Sequence, residues 1–116
     1  MVSRRKERQE DAKLRLLQIL STNPQLTSRE LAKNVGISNG SAYYLLMSLI
    51  DKGFIKLANF KNNPQKTKYS YLLTPKGIRE KSLITSKFLI RKKQEYKLLR
   101  KEITELERDA GLHIES

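Results

Sequence analysis

The first third of the chain is built from short stretches in which apolar residues recur with helical spacing. Leucines and an isoleucine within residues 14–20 lie in a window of good helix formers, which predicts a helix over about residues 10–22. Asn23 and Pro24 end this helix, because a proline disfavours helical backbone at the residue before it. The apolar stripe is wide, so we expect the helix to contact more than one neighbouring surface.

A second, shorter helix is predicted from the residues at its two ends. Thr27 and Glu30 have the spacing of a capping box, in which the threonine hydroxyl accepts a hydrogen bond from the glutamate amide and the carboxylate reaches back to the threonine amide. Gly36 supplies the left-handed residue that commonly ends a helix. The two signals place this helix at residues 28–34.

A third helix is predicted to begin after Ser38, a good N-cap, and to run to about residue 52, where Gly53 ends it. Its apolar residues are spaced i, i+3, i+4 and i+7, which predicts one buried face made of Ala42, Leu45, Leu46 and Leu49. The other side carries small, polar and aromatic residues, namely Asn39, Ser41, Tyr43, Tyr44, Met47 and Ser48.

Two short runs with large apolar and aromatic residues follow and predict a β-hairpin. Residues 54–60 and 69–73 are the strands, and polar residues 61–68 join them with three lysines and no acidic residue. This loop could be an ordinary solvated turn, but its uncompensated positive charge favours contact with phosphates. Tyr69 and Tyr71 are expected in the core or on a face of the sheet rather than as platforms that stack on bases.

The last predicted element is one long helix. Thr74 is its N-cap, and Pro75 occupies the first helical position, where a missing amide costs nothing. No helix breaker follows until Gly111, so the helix can extend for some 35 residues, roughly 50 Å at 1.5 Å per residue. One small domain cannot cover a helix of that length.

The far part of this helix carries apolar residues three and four apart, a spacing typical of a coiled coil. The predicted dimerisation residues are Leu89, Tyr96, Leu99, Ile103, Leu106 and Ala110. Because the regular part of this seam spans only two heptads, it could instead pack back on its own domain, although the length of the helix favours a partner helix. Parallel and antiparallel pairing both stay open, with charge leaning slightly to parallel.

The charge and composition narrow the choice of function. Among 116 residues, Lys plus Arg number 24 and Asp plus Glu 12, so the formal net charge is +12 and a polyanion is the first partner to consider. The chain has no cysteine, which excludes a disulfide framework and a thiolate zinc site. The longest apolar run, residues 42–47, is far below the ~20 residues that a membrane-spanning helix needs. We therefore expect a soluble, cytoplasmic protein with no membrane partner.

The sequence offers no basis for enzymatic chemistry. The only histidine, His113, lies near the C-terminus and is expected to be exposed. There is no thiol, no histidine cluster, no glycine-rich phosphate loop and no pair of carboxylates in an apolar setting. We expect no catalytic residue, no metal and no cofactor, so the chain is predicted to be a binding protein.

The order of the elements predicts a mainly α protein with a small β-hairpin (α+β), a winged helix-turn-helix followed by a long C-terminal dimerisation helix. The expected segments are a basic tail (1–9), the DNA-binding domain (10–74), the dimerisation helix (75–111) and a short tail (112–116). The third helix would enter the major groove of DNA, while helix starts and the hairpin loop would meet phosphates. The predicted DNA-binding residues are Thr27, Ser28, Ser38, Asn39, Gly40, Ser41, Tyr43, Tyr44, Ser48, Lys61, Asn62, Asn63, Lys66 and Lys68.

Other interpretations of these features remain. Tyr43 and Tyr44 could simply pack on a neighbouring element; contact with bases or phosphates is favoured for Tyr44 and less so for Tyr43. The favoured function is a dimeric, sequence-specific DNA-binding regulator. The alternative is a coiled-coil protein-interaction module that holds nucleic acid, DNA or RNA, without specificity. The ratio of affinities for cognate and random duplex, at stated salt, distinguishes the two.

Several motifs resemble a known family. The sequence LTSRELA at residues 26–32, SNGS at 38–41 and LIDKGFI at 49–55 resemble the MarR-type winged-helix regulators of bacteria. More narrowly, KGFIK at residues 52–56 and YLLTPKGI at 71–78 are similar to the short regulators associated with exopolysaccharide gene clusters.

This resemblance implies a dimeric bacterial repressor or activator, with double-stranded DNA and a second copy of the chain as partners and polysaccharide biosynthesis genes as targets. Larger MarR proteins have an extra N-terminal helix in the dimer interface and often a ligand crevice there. This chain has only a short charged segment before its first predicted helix, which argues against a small-molecule effector.

Overall fold

The computed structural model describes residues 4–59 and 69–111, and its elements occur in the predicted order. They are α1 (Arg4–Thr22), α2 (Ser28–Val35), α3 (Asn39–Asp51), β1 (Ile55–Asn59), β2 (Tyr69–Leu73) and α4 (Pro75–Asp109). The expected fold, mainly helical with one antiparallel hairpin and a long C-terminal helix, is confirmed. No helix within the described residues is both long and apolar enough to cross a membrane.

The first helix begins earlier than the sequence pattern indicated. It starts at Arg4, so residues 4–9, which were expected to form part of a basic tail, are helical and continuous with the rest of α1. This stretch of arginine, lysine, glutamate and glutamine contains no glycine or proline, and these side chains favour helix even where no apolar periodicity marks it.

The core lies where α1, α2, α3 and the base of the hairpin meet. Its side chains are almost wholly apolar; those with no more than 2% exposure and large volume include Leu16, Leu17, Leu31, Leu46, Leu49 and Ile55. Ala42 is also fully buried, whereas Leu45 is only half-buried at the edge of the predicted apolar face of α3. The wide stripe of α1 is explained by its contacts with both α2 and β2.

The hairpin is antiparallel, with Ile55 opposite Leu73 and Asn59 opposite Tyr69. Its other edge is tied to the connection between α1 and α2, because the amide of Tyr71 donates to the carbonyl of Pro24 at 3.0 Å. Strand β2 is therefore hydrogen-bonded along both edges, to β1 and to the connection between α1 and α2.

The start of α4 is locked onto the turn that precedes β1. The Thr74 hydroxyl donates to the carbonyl of Gly53 at 2.6 Å and accepts from the amide of Gly77 at 3.0 Å, which confirms Thr74 as the N-cap. A side chain at Gly77 would overlap the carbonyl oxygen of Phe54, so only glycine allows this approach. The motifs KGF, at residues 52–54, and TPKG, at residues 74–77, thus form one junction.

The same junction carries positive charge around an aromatic ring. The ammonium groups of Lys13 and Lys76 lie 4.8 and 5.0 Å from the centre of the Phe54 ring, distances suited to cation–π attraction. The Lys76 ammonium also donates to the Lys52 carbonyl at 2.9 Å. Residues from α1, from the turn before β1 and from α4 are joined in this way.

By its contacts the chain divides into two compact units, residues 1–85 and 86–116. The first unit holds α1 to β2 and the first turns of α4, where Gly77 and Ile84 are buried. The second unit is the remainder of α4, in which no described side chain is fully buried. Gly111, with φ of +70°, follows the end of the helix, as expected.

Candidate nucleic-acid interface

The helix pair α2 and α3 is fixed by local hydrogen bonds at both helix starts. The capping box is present, because the Glu30 amide donates to the Thr27 hydroxyl and the Thr27 amide donates to the Glu30 carboxylate, each at 3.1 Å. Gly36 adopts φ of +83° and ends α2. The tight turn that follows brings the chain to Ser38, the N-cap of α3.

The start of α3 leaves backbone open to a ligand. The Ser38 hydroxyl accepts from the Ser41 amide at 3.1 Å and donates to the Ser41 hydroxyl at 2.8 Å. The amides of Asn39 and Gly40 lie in the first turn, where a helix provides no carbonyl partner. A Cβ added at Gly40 would meet no atom within 4 Å, so the backbone there is open. Amides in such a position suit an anion.

The start of α2 is less suited to a phosphate. The hydroxyl and the amide of Thr27 are both engaged in the capping box, and the carboxylate of Glu30 already occupies the positive end of the helix. Ser28 is half-buried. Of the two predicted amide-rich helix starts, the one at Ser38 therefore offers the more accessible donors.

One side of α3 is exposed, and Tyr44 lies at its centre. Its side chain is 78% exposed, the most exposed of the large apolar and aromatic residues described. By helical geometry Gly40 and Asp51 lie on the same line, with Ser41 and Ser48 beside it. Ser41 is exposed and Ser48 half-buried. These residues face away from Ala42, Leu46 and Leu49, which form the buried side.

Tyr43 differs from its neighbour because it also faces the hairpin. It is 59% exposed. Burial raises the pKa of the half-buried Tyr71 of β2 above its ordinary value, and an electrostatic interaction with Tyr43 raises it further. Tyr71 thus lies on a face of the sheet, as expected.

The helix α3 contains no lysine or arginine. Exposed basic side chains lie instead on the neighbouring elements, on Arg29 and Lys33 of α2 and on Lys56 of β1. None of the three was singled out from the sequence. The signal that could have found Arg29 and Lys33 is their place on the polar side of the helix before α3.

The remaining predicted contacts belong to the hairpin loop. Lys61, Asn62, Asn63, Lys66 and Lys68 lie outside the described residues. The register of the strands, with Asn59 paired to Tyr69, shows only that the two ends of the loop leave the sheet side by side. The side chain of Tyr69, like His113 near the C-terminus, also lies outside what the structure describes.

The predicted dimerisation residues all lie on the second unit, and each is exposed in the single chain. Leu99 is 55% exposed and Leu106 60%. Their spacing of three and four residues puts Tyr96, Leu99, Ile103, Leu106 and Ala110 on one side of a helix. In residues 4–59 and 69–111 no group of three or more histidine, cysteine, aspartate or glutamate side chains is placed to hold a metal ion.

Part of the chain matches a known protein family. Residues 9–56 match the family model described as winged helix-turn-helix DNA-binding. None of the curated protein sequences matches the chain. The match covers most of α1, all of α2 and α3, and the first two residues of β1.

Several solved structures are similar in fold. The transcriptional repressor CouR bound to a 23-mer DNA duplex is 19% identical, with 84% of this chain and 69% of that chain covered and a TM-score of 0.61. A MarR family regulator from Silicibacter pomeroyi is 23% identical, with 84% and 72% covered and a TM-score of 0.57. A PadR-like regulator from Bacillus cereus is 21% identical, with 75% and 89% covered and a TM-score of 0.64.

The order of the elements is that of a winged helix-turn-helix fold, and residues 9–56 are similar to the winged helix-turn-helix DNA-binding family. Within that class, the fold is similar to those of MarR family and PadR-like transcriptional regulators. The resemblance to MarR-type proteins seen in the sequence motifs is thereby confirmed at the level of fold, and these similar structures are transcriptional regulators.

Proposed function

We propose that the chain is a transcriptional regulator that binds specific sequences in double-stranded DNA as a homodimer. The observation that carries this proposal is the exposed side of α3, where Tyr44 projects from a helix whose opposite side is fully buried. A helix held rigidly by its core and exposed along one side fits the major groove, which is wide enough to admit it.

In the proposed complex, Ser41, Tyr44 and Ser48 lie against base edges. Hydroxyl groups can donate to or accept from bases, and the tyrosine ring can pack on a thymine methyl group. Gly40 lets the backbone of α3 approach closely, because there is open space where a side chain would stand. Tyr43, which is also exposed, contributes at the border of this surface.

Phosphate contacts in this proposal come from outside α3. The open amides of Asn39 and Gly40 supply one set of donors. The lysines of the hairpin loop, Lys61, Lys66 and Lys68, supply the charge that the helix lacks. Asn62 and Asn63 lie between them and can donate hydrogen bonds to the same backbone.

Dimerisation is proposed through the second unit. Burying a leucine or isoleucine side chain is worth about 1.5–3 kcal/mol, so pairing the exposed seam of Leu99, Ile103 and Leu106 stabilises a dimer. A two-fold dimer presents two α3 helices to half-sites about 10 base pairs apart, or a multiple of that.

The sequence resemblance supports a finer proposal. Similarity to regulators associated with exopolysaccharide clusters favours polysaccharide biosynthesis genes of a bacterium as the targets. The protein would then act in the cytoplasm, where those genes are transcribed.

In vitro selection of bound duplexes from a random pool tests the proposal. We expect enrichment of a palindromic consensus whose half-sites are one helical turn, or a multiple of it, apart. The measured affinity for that duplex should exceed the affinity for random duplex by at least about 10³-fold at the same salt concentration. A pool that shows no consensus after binding contradicts sequence-specific regulation.

A second candidate is favoured by one observation, the exposed apolar seam on α4. If this seam recruits a different protein, the basic chain would hold nucleic acid without specificity. Equal affinity for selected and random duplexes, together with a protein that is monomeric at tens of micromolar, would identify this function instead.

A further inference from the structure

The second unit carries a basic face that the proposed function does not use. Five positive residues and one threonine follow one side of α4: Lys93, Lys97, Arg100, Lys101, Thr104 and Arg108. Their spacing of three and four residues keeps them on a single stripe, and all of them are exposed. We call this stripe the outer basic face. It extends for about 22 Å at 1.5 Å per residue.

Three residues of the outer basic face lie opposite the apolar seam, whereas Lys93 and Arg100 flank it. Lys97, Lys101 and Arg108 each stand two residues before a seam position, and two residues correspond to about 200° around a helix. Pairing of two chains through the seam therefore leaves Lys97, Lys101 and Arg108 uncovered. A homodimer would expose two such faces, one on each helix.

Basic residues on the other side of the same helix are already engaged. Lys92 donates to the Glu95 carboxylate at 3.1 Å, and Arg91 lies 3.7 Å from the same carboxylate. Both cations also lie over the ring of Phe88. By contrast, no side chain of the outer basic face forms an ion pair with a carboxylate of the described residues. Glu105 lies beside Lys101 and Arg108 without an ion pair to either, so the face keeps a net positive charge that an external anion can neutralise.

The composition of the face favours nucleic acid over other anionic partners. Protein interfaces rely on aromatic and apolar anchors and are depleted in lysine, and these six residues include no such anchor. A helix lying on an anionic membrane needs a clean apolar side. Here carboxylates border the apolar seam, among them Glu95, Glu102 and Glu107, and the membrane surface would repel them.

We propose that the outer basic face is a second binding site for the phosphate backbone of duplex DNA, separate from α3. Lysines spaced four residues apart neutralise phosphates without reading bases, so this contact adds affinity and no sequence preference. The identity of the polyanion rests on the proposed function. The DNA can come from two sources, the flanks of the duplex bound by α3 or a second duplex bridged by the dimer.

A matched pair of variants of the full chain tests this site. K97Q/K101Q removes two charges from the outer basic face, and K87Q/K92Q removes two charges from other positions on the same helix. Glutamine and lysine have similar helix propensity, so both variants should keep their helix content by circular dichroism. The variant K97R/K101R retains the charge and should bind as the unchanged protein does.

Three binding measurements separate the outcomes. The first uses a selected duplex of two helical turns, roughly 20 base pairs. The second uses the same site with flanks of random sequence, and the third measures capture of a labelled random duplex by protein already bound to the short one. We expect K97Q/K101Q to leave the first unchanged and to weaken the second or the third about tenfold at physiological salt. The salt slope of that interaction should fall by about 1 for each lysine that contacts a phosphate.

A loss on the flanked duplex identifies the flanks as the source, and a loss of capture identifies a bridged duplex. Equal losses in K97Q/K101Q and K87Q/K92Q, or no loss in either, would overturn the proposal. So would vesicles of phosphatidylserine and phosphatidylcholine that bind through these lysines while DNA binding stays unchanged. If no selected site exists, random duplexes of the two lengths still test the outer basic face, so its failure is separable from that of the proposed function.

Discussion

Two leucine-rich helical segments, residues 14–20 of α1 and residues 98–106 of α4, have opposite surroundings. In α1, Leu14, Leu16, Leu17 and Leu20 are all buried. In α4, Leu98, Leu99 and Leu106 are between 55% and 69% exposed. The residue types are the same, and both segments are helical. The difference shows that the first unit completes its core within one chain, whereas the second unit presents apolar surface that one chain does not cover.

The largest expected effect comes from the same substitution made in each segment. Leu17→Ala leaves a cavity in the core and should lower the free energy of unfolding by about 2–5 kcal/mol at every protein concentration. Leu99→Ala should lower stability only where the dimer is populated, because its side chain is exposed in the single chain. Urea denaturation at several protein concentrations measures both. A concentration-independent loss in Leu99→Ala would show that Leu99 packs within its own chain.

Truncation after Arg91 removes most of the second unit, including the apolar seam, and keeps the whole first unit. We expect a folded monomer, because the core lies within residues 1–85, with much weaker binding to a two-fold DNA site. Sedimentation velocity and duplex binding check the two parts. A truncated protein that still dimerises, or an intact protein that is monomeric at tens of micromolar, contradicts dimerisation through α4.

The packing of the first unit can be disrupted where the start of α4 contacts the turn before β1. Gly77→Ala forces a Cβ into the carbonyl oxygen of Phe54 and should destabilise the protein by about 1–3 kcal/mol. Gly40→Ala is the matched control, since a Cβ there meets no atom within 4 Å. The control should unfold at the same urea concentration or a slightly higher one. If both variants unfold at the same urea concentration, the backbone around Gly77 and Phe54 can move apart without loss of stability.

The first unit also has exposed large side chains, of which Tyr44 is the most exposed, so the comparison of the two units can be sharpened there. Tyr44→Ala should leave folding intact and weaken binding to the selected duplex by about 1–3 kcal/mol, with a relaxed sequence preference. Tyr44→Phe separates the ring from the hydroxyl. Binding isotherms with selected and random duplexes provide the measurement. Unaltered preference in a folded Tyr44→Ala protein would remove this residue from the site.

The smallest expected effect concerns the hairpin loop. Neutralising Lys61, Lys66 or Lys68 should weaken binding to every duplex alike and reduce the salt slope by about 1. Stability should not change, because the loop is polar and hydrophilic side chains need no burial. Salt titrations on selected and random duplexes report this slope. If the triple glutamine variant binds as before, the loop does not contact DNA.

Local signals in the sequence predicted much of the fold. The capping box of Thr27 and Glu30, the left-handed Gly36 and the N-cap Ser38 involve residues close in the chain, and the structure confirms each. The apolar pattern predicts that α1 starts six residues later than it does. The first residues of the helix are charged or polar and favour helix, but no apolar spacing marks them.

Features that join distant residues could not be predicted in this way. The contact of Gly77 with Phe54 and the proximity of Tyr43 to Tyr71 arise only once the hairpin is folded. The spacing of the apolar residues of α3 predicts which side of this helix is exposed, and the sequence favours Tyr44 over Tyr43 as a DNA contact. Arg29 and Lys33 lie on the helix before α3, and no cap or apolar spacing marks them as candidate contacts.

The absence of lysine and arginine from α3 has a consequence for how such a protein can diverge. In the proposed complex, attraction to DNA comes from charges on other elements, while discrimination among bases comes from uncharged side chains on this helix. A substitution at Ser41, Tyr44 or Ser48 then changes the preferred sequence and leaves the long-range attraction and the rate of encounter unchanged. Duplicated copies of the gene could therefore acquire separate target sites by a few exchanges on one helical face, with no need to rebalance the charge of the whole molecule.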